Sequence, residues 1–194
     1  DPDGITVESE LHRTGELGKT PCKAFPIKAY YELHIEQGPV LEAENTMIGV
    51  VTGGQGLYWK HITLCGQDSH AGTTPMAYRK DALMGASRII TGLREIIQKH
   101  SGSVCTVGRL ETIPASINTV PGEVFFTVDI RHPDDATLEG IHDQLLGLVD
   151  SVCRQEGLSV NFDNTWKTPA VNFHEDCIAK VQRAAQDLGF SHRD

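Results

Sequence analysis

Four residues in this sequence have the type and setting for chemistry: His34 in ELHIEQGP, His70 in GQDSHAGTTPM, Asn118 in ASINTVPG and Arg131 in VDIRHP. His34 ends an apolar run just before a Gly-Pro break, and Glu32 and Glu36 alternate with it along the chain. An imidazole aimed by a rigid element suits one corner of a metal site. A neighbouring carboxylate would then be a fellow ligand or the hydrogen-bond partner of the ring. A core histidine at a strand end is the plain alternative. His70 lies in a loop ahead of a helix, where an imidazole N–H can stabilise a developing oxyanion, and Gly72 with the helix N-terminus suits an anion-facing loop. A solvated loop histidine fits the same position. Asn118 and Arg131 bracket one stretch of strand character. An arginine at the end of VFFTVDI is placed to fork a carboxylate; a turn asparagine and a surface arginine are the bland readings. On one straight strand the two do not meet, so a site that uses both needs a bend or a dimer. No GxSxG, Walker, HExxH or EF-hand pattern occurs.

The elements that must carry these residues show in the periodicity. Leu57 to Cys65 has strand composition, and Gly66 to Thr74 reads as a loop. Thr74-Pro75 starts a helix that runs to about Lys99, since proline suits the first helical position; Leu83, Ala86, Ile90, Leu93 and Ile97 form its apolar face. Val104 to Glu111 and Ser116 to Arg131 read as strands. His132 to Asp135 ends the second and caps another helix, with Leu138, Ile141, Leu145, Leu148 and Val152 on one face and Gly157 closing it. Leu158 to Phe162 is a last strand. The order strand, helix, strand, strand, helix, strand is a split βαβ arrangement: an antiparallel sheet with two helices on one face.

Other segments lie outside that unit. Ile5 to Gly15 forms a short helix capped by Thr6, with an incomplete capping box because Ser9 stands where Glu or Gln would. Ala29 to Ile35 reads as a buried strand, VLEAEN as a helical turn, Ile48 to Val51 as extended, TGGQG as a hinge, and Glu175 to Leu188 as a helix.

The 194 residues suffice for one substantial core or two small ones. Lysine and arginine total 17 against 26 acids, and the net charge of −9 disfavours nucleic acid and anionic membrane as partners. Five widely spaced cysteines without a CxxC argue against a disulfide framework or a thiolate zinc site. Free thiols in a reducing, cytoplasmic compartment fit, with Cys65 and Cys105 as buried strand thiols. No apolar run is long enough to span a bilayer.

ELHIEQGPVLE, IGVVTG, GQDSHAGTTPM, INTVPGEV and DIRHP, in this order and spacing, resemble the N-carbamoyl amino acid amidohydrolases. That group includes β-ureidopropionase, the L-carbamoylases and allantoate amidohydrolase, and the resemblance covers nearly the whole chain. It implies an α/β fold with an α+β lid: a βαββαβ antiparallel-sheet lid and dimerisation domain at 52–166, inserted in an α/β metallohydrolase catalytic domain to which 1–51 and 167–194 belong. It implies two divalent ions, zinc or manganese, in the full-length enzyme, with His34 as a metal ligand. It makes His70 the lid histidine that polarises the scissile carbonyl, usually from the neighbouring subunit, and Asn118 and Arg131 the residues that hold the substrate. The partners implied are a small carbamoyl substrate and a second copy bound through the lid. The products would be an amino acid, ammonia and carbon dioxide. The family's remaining ligands and its catalytic glutamate lie before and after such a stretch. The chain on this reading is an internal fragment, metal-free and inactive alone. Leu57-Tyr58-Trp59 stands where many bacterial carbamoylases read Gln-Arg-Trp, which tilts the substrate towards N-carbamoyl-β-alanine. Allantoate amidohydrolase or a broad L-carbamoylase is the rival within the class. A non-catalytic dimerisation or binding module is the rival outside it, since fold does not fix function. An aminoacylase or peptidase fits the HAGTTPM and DIRHP contexts less well.

Overall fold

The computed structural model describes residues 4–21 and 23–194, with the side chains of 164 and 165 left aside. The chain divides into two compact units, 1–37 and 38–194. The first carries helix α1, Val7–Thr14. Thr6 caps it, and the capping box is complete, contrary to the sequence expectation. The Ser9 hydroxyl accepts from the Thr6 amide while Thr6 Oγ1 accepts from the Ser9 amide, both at 3.1 Å. Serine is short but close enough to return the bond. The strand expected over Ala29–Ile35 is absent. This segment has no regular structure, and Leu33 is 96 % exposed. Its apolar composition signals a strand only when a partner edge receives it, and among the described residues no strand forms here.

In the second unit a four-residue helix α2 (Val40–Ala43) precedes short strands β1 (Ile48–Gly49) and β2 (Gly53–Gly54). Then come β3 (Gly56–Cys65), β4 (Ser69–His70), helix α3 (Ala82–Ile97), β5 (Val104–Thr106), β6 (Leu110–Ile113), β7 (Thr119–Val120), β8 (Glu123–His132), helix α4 (Asp135–Glu156) and β9 (Ser159–Thr168). β10 (Val171–Asn172), helix α5 (Glu175–Asp187) and β11 (His192–Arg193) complete it. The main sheet runs β5–β8–β3–β9, with β6 also on β8, and every pairing in it is antiparallel. The split βαβ expectation holds.

Strict alternation builds the core. Tyr58, Ile62 and Leu64 of β3 and Val124, Phe126, Val128 and Ile130 of β8 point to one face. Ala86, Ile89 and Leu93 of α3 and Leu138, Ile141, Leu145 and Val149 of α4 cover that face. The other face of the sheet carries Trp59, His61, Phe125, Asp129 and Arg131, and among the described residues of this unit neither α3 nor α4 covers it.

Four boundaries differ from the sequence reading. Helix α3 starts at Ala82 and not at Thr74-Pro75, because Asp81 accepts from the amides of Leu83 and Met84 and out-competes the earlier threonine as cap. Pro75 opens only a 3₁₀ turn, Met76–Tyr78. The helix is also rotated slightly from the expected face: Leu83 is 38 % exposed and Gly85 and Ile89 are buried. The strand expected over Ser116–Arg131 breaks at Pro121-Gly122, where proline has no amide to donate. The strand expected over Val104–Glu111 is interrupted between Thr106 and Leu110, and β9 extends to Thr168. Asp134 caps α4 and Gly157 closes it in the left-handed region, both as expected. Cys65 and Cys105 are half-buried and not buried, since both lie on the open face or at an edge.

The Gly-rich segment expected as a hinge is paired. β2 lies antiparallel to β10, so the two connections to the main sheet run side by side.

Candidate functional site

His70 lies on β4, which pairs with β7 so that His70 faces Thr119 and Ser69 faces Val120. Loop 66–80 is tied at its base by Gly66 N donating to Gly122 O at 2.6 Å and by Gln67 N donating to Lys80 O at 3.0 Å. A Cβ on Gly66 would stand 2.1 Å from the Lys80 carbonyl oxygen, so only glycine permits this approach. At its tip the Arg79 guanidinium donates to the carbonyls of Thr74 (3.0 Å) and Ala71 (2.7 Å). Within this frame the His70 ring is exposed, and Nδ1 accepts from the amides of Gly72 (3.0 Å) and Thr73 (3.2 Å).

Asn118 stands beside it. The Asn118 carbonyl accepts from Ala71 N at 2.9 Å, and its side-chain Oδ1 accepts from Ser116 Oγ at 2.8 Å. The amide nitrogen of the side chain is thereby left as the donor. The next residue back, Ile117, is fully exposed. The structure thus brings His70 and Asn118 to one end of the sheet.

Arg131 is at the other end. On the open face it forms a bidentate pair with Asp129: Nε lies 3.0 Å from Oδ1 and Nη2 2.7 Å from Oδ2. This bond holds the Arg131 pKa above its ordinary value. Leu57 lies directly across from Arg131, and Trp59 across from Asp129. Trp59 and Trp166 approach with ring centroids 6.4 Å apart. From Glu123 to Arg131 the strand covers about 26 Å at 3.3 Å per residue. Arg131 therefore does not meet His70 and Asn118 within one chain.

His34 belongs to the first unit and is exposed. Its Nδ1–H donates to the Ile35 carbonyl at 2.5 Å, which leaves Nε2 with the unshared pair a metal would take. The neighbouring Glu32 carboxylate accepts from Tyr30 O–H at 2.9 Å. Among the described residues no group of three His, Cys, Asp or Glu side chains is arranged to hold a metal ion. These residues do not by themselves make a metal site, which needs three or four donors.

Asp129 escaped the sequence reading. Its signal was present: alternation puts it on the same face as Arg131, two residues away, with the right charge. The Gly72 and Thr73 amides had no such signal, because backbone donors are invisible in residue types.

Residues 52–156 match the family model described as a peptidase dimerisation domain. The chain belongs to the peptidase dimerisation domain family. It is similar to an N-carbamoyl-L-amino-acid amidohydrolase of Rhizobium meliloti, 40 % identical over 99 % of this chain and 46 % of the relative. It is also similar to an allantoate amidohydrolase of Bacillus subtilis, 34 % identical over 98 % of this chain and 47 % of the relative. Among solved structures, a hydantoinase/carbamoylase family amidase from Burkholderia multivorans superposes with a TM-score of 0.89 at 45 % identity, over all of this chain and 47 % of that one. The chain thus spans about half the length of these relatives, and its place beside the N-carbamoyl amino acid amidohydrolases agrees with the sequence motifs. No helix among the described residues is long and apolar enough to cross a membrane.

Proposed function

We propose that the chain is the substrate-closing and dimerising part of an amidohydrolase that cleaves N-carbamoyl amino acids to an amino acid, ammonia and carbon dioxide. Its lid spans 52–166, and 1–51 and 167–194 belong to the catalytic domain. One observation carries the reading. His70 and Asn118 share one end of a sheet whose other end holds Arg131, about 26 Å along β8. A two-fold dimer whose axis crosses the strands would set unlike ends of two copies side by side and so reunite the three. The exposed Ile117 beside Asn118 is an apolar residue for a second copy to cover.

In the composite site Arg131 receives the substrate carboxylate, Asn118 donates to the ureido group, and the His70 imidazole N–H donates to the scissile carbonyl oxygen as charge builds there. Divalent ions, zinc or manganese, belong to this reading. His34 would be one of their ligands.

Leu57, set directly across from Arg131, supports a narrow substrate such as N-carbamoyl-β-alanine, because it adds no polar contact beside the guanidinium. The names borne by the relatives favour N-carbamoyl-L-amino acids or allantoate as the second reading. Ammonia release from the three substrates by the full-length enzyme separates them. Mixing His70→Ala and Arg131→Ala enzymes tests the composite site, at a substrate concentration far below the KM of the arginine variant so that neither parent turns over appreciably. Half of randomly mixed dimers carry one intact site, so about a quarter of the wild-type rate returns. A mixture as inactive as its parents places all three residues in one subunit's site and refutes the reading.

A further inference from the structure

We propose that loop 66–80 fixes the neutral form of His70 in a single tautomer, with the proton on Nε2, and so builds that nitrogen as a hydrogen-bond donor. The inference deepens the proposed role of His70, and its tautomer half stands apart from that role.

Two backbone amides converge on Nδ1, from Gly72 at 3.0 Å and Thr73 at 3.2 Å. An amide can only donate, so Nδ1 presents its lone pair to both. A neutral imidazole carries one N–H, and it must then sit on Nε2. A proton on Nδ1 would point at two N–H groups and turn two attractions into repulsions. The unshared pair that a general base needs is already committed to the backbone, and Nε2 is left with a proton to share.

The arrangement is held from outside the ring. Thr74 N donates to His70 O at 3.2 Å, which closes the turn that aims the two amides. Ala71 N donates to Asn118 O, and Arg79 binds the Ala71 and Thr74 carbonyls on either side of Gly72-Thr73. Gly72 lies so close that a Cβ there would be 3.3 Å from His70 Cε1 and 3.5 Å from Nδ1. Its lack of a side chain lets the backbone reach the nitrogen. Gly72 is a positioning residue on this account, and it acts through the ring.

Long-range proton–nitrogen correlation spectra of the histidine-labelled 194-residue chain at alkaline pH read both ring nitrogens, and His70→Asn identifies their signals. The expected result is Nε2 at the pyrrole-like limit and Nδ1 at the pyridine-like limit, with no averaging. Gly72→Ala should move both towards the averaged values of an unstructured histidine. Averaged or reversed values in the unsubstituted chain overturn the proposal. In the full-length enzyme His70→Gln places an uncharged N–H near the position of Nε2. It should keep kcat about tenfold above that of His70→Ala, with KM unchanged, out of the roughly 10²–10³-fold that one oxyanion donor supplies. A glutamine variant no better than alanine overturns the donor role. An unsubstituted enzyme inactive on all carbamoyl substrates would instead refute the functional reading, and the spectra would still decide the tautomer.

Discussion

The two ends of the main sheet hold their functional side chains by opposite means. At the His70 end the frame is mostly backbone: paired strands β4 and β7 and the Gly66–Gly122 and Gln67–Lys80 bonds, with the Arg79 guanidinium on two loop carbonyls. At the Arg131 end the frame is side chains. Asp129 grips Arg131 on the open face. On the helix-covered face Glu139 accepts from Tyr58 O–H at 2.6 Å and pairs with Lys167, while His142 stacks on Tyr58 at 4.4 Å. Bonds between two backbone groups do not titrate. Ion pairs depend on pH and salt. If His70 and Arg131 have the proposed roles, the donor to the reacting atom is fixed in place and the carboxylate receptor is mounted where it can adjust.

The largest contrast should come from removing the two groups themselves. Arg131→Ala should raise KM by about 10²–10³-fold with kcat little changed, since it removes one partner of a charge-assisted bond. His70→Ala should do the reverse, with kcat lost and KM kept. Steady-state kinetics on the full-length enzyme decide this, and loss of kcat in both would break the comparison.

Next in size is the frame of the His70 loop. Gly66→Ala forces a carbon to within 2.1 Å of the Lys80 carbonyl oxygen, so the loop must shift. Urea unfolding of this chain should show a loss of about 1–3 kcal/mol. An unchanged midpoint would mean that the loop is not rigidly tied to β8.

Asp129→Asn is milder. The amide keeps one acceptor oxygen for Arg131 and loses the charge and the second contact. KM should rise about tenfold with kcat held, and Asp129→Glu should recover part of it. A change in kcat alone would show that Asp129 serves stability and not the aim of Arg131.

How far the sequence could reveal these two ends follows from the same contrast. The main sheet and both long helices were legible, because alternation in β3 and β8 and the three-to-four spacing in α4 report burial directly. Arg131 and its strand were legible for that reason. The start of α3 was misread because Thr74 and Asp81 both have capping chemistry, and tertiary bonds of the loop decide between them. The segment at Ala29–Ile35 was misread because apolar composition alone does not make a strand, and Leu33 and Ile35 stand exposed. The residue type of His70 was legible, but the two amides that orient its ring are set by loop path alone.

The smallest effect should come from protons at the Arg131 end. Burial pushes His142 below its ordinary 6.5, with the charge of Lys60 acting in the same direction. As pH falls through 6.5 the unfolded chain takes up this proton before the folded one does. Stability therefore falls in the window from 6.5 down to the folded pKa, at no more than about 1.4 kcal/mol per pH unit for one proton. His142→Phe keeps the stacking on Tyr58 and removes the proton, so the stability of this chain should become flatter with pH across that window. Glu139 works at lower pH: Lys167 and Tyr58 hold its carboxyl below the ordinary value, so its contribution is complete above 4.5 and fades only under more acid conditions. Hydrogen exchange resolves where the loss occurs. Amides around Tyr58 and Lys167 should open first as pH falls, while those of Gln67 and Ala71, bonded to the Lys80 and Asn118 carbonyls, hold their protection. Equal loosening at both ends would mean that the His70 frame also depends on titrating side chains, and the contrast between the two ends would fail.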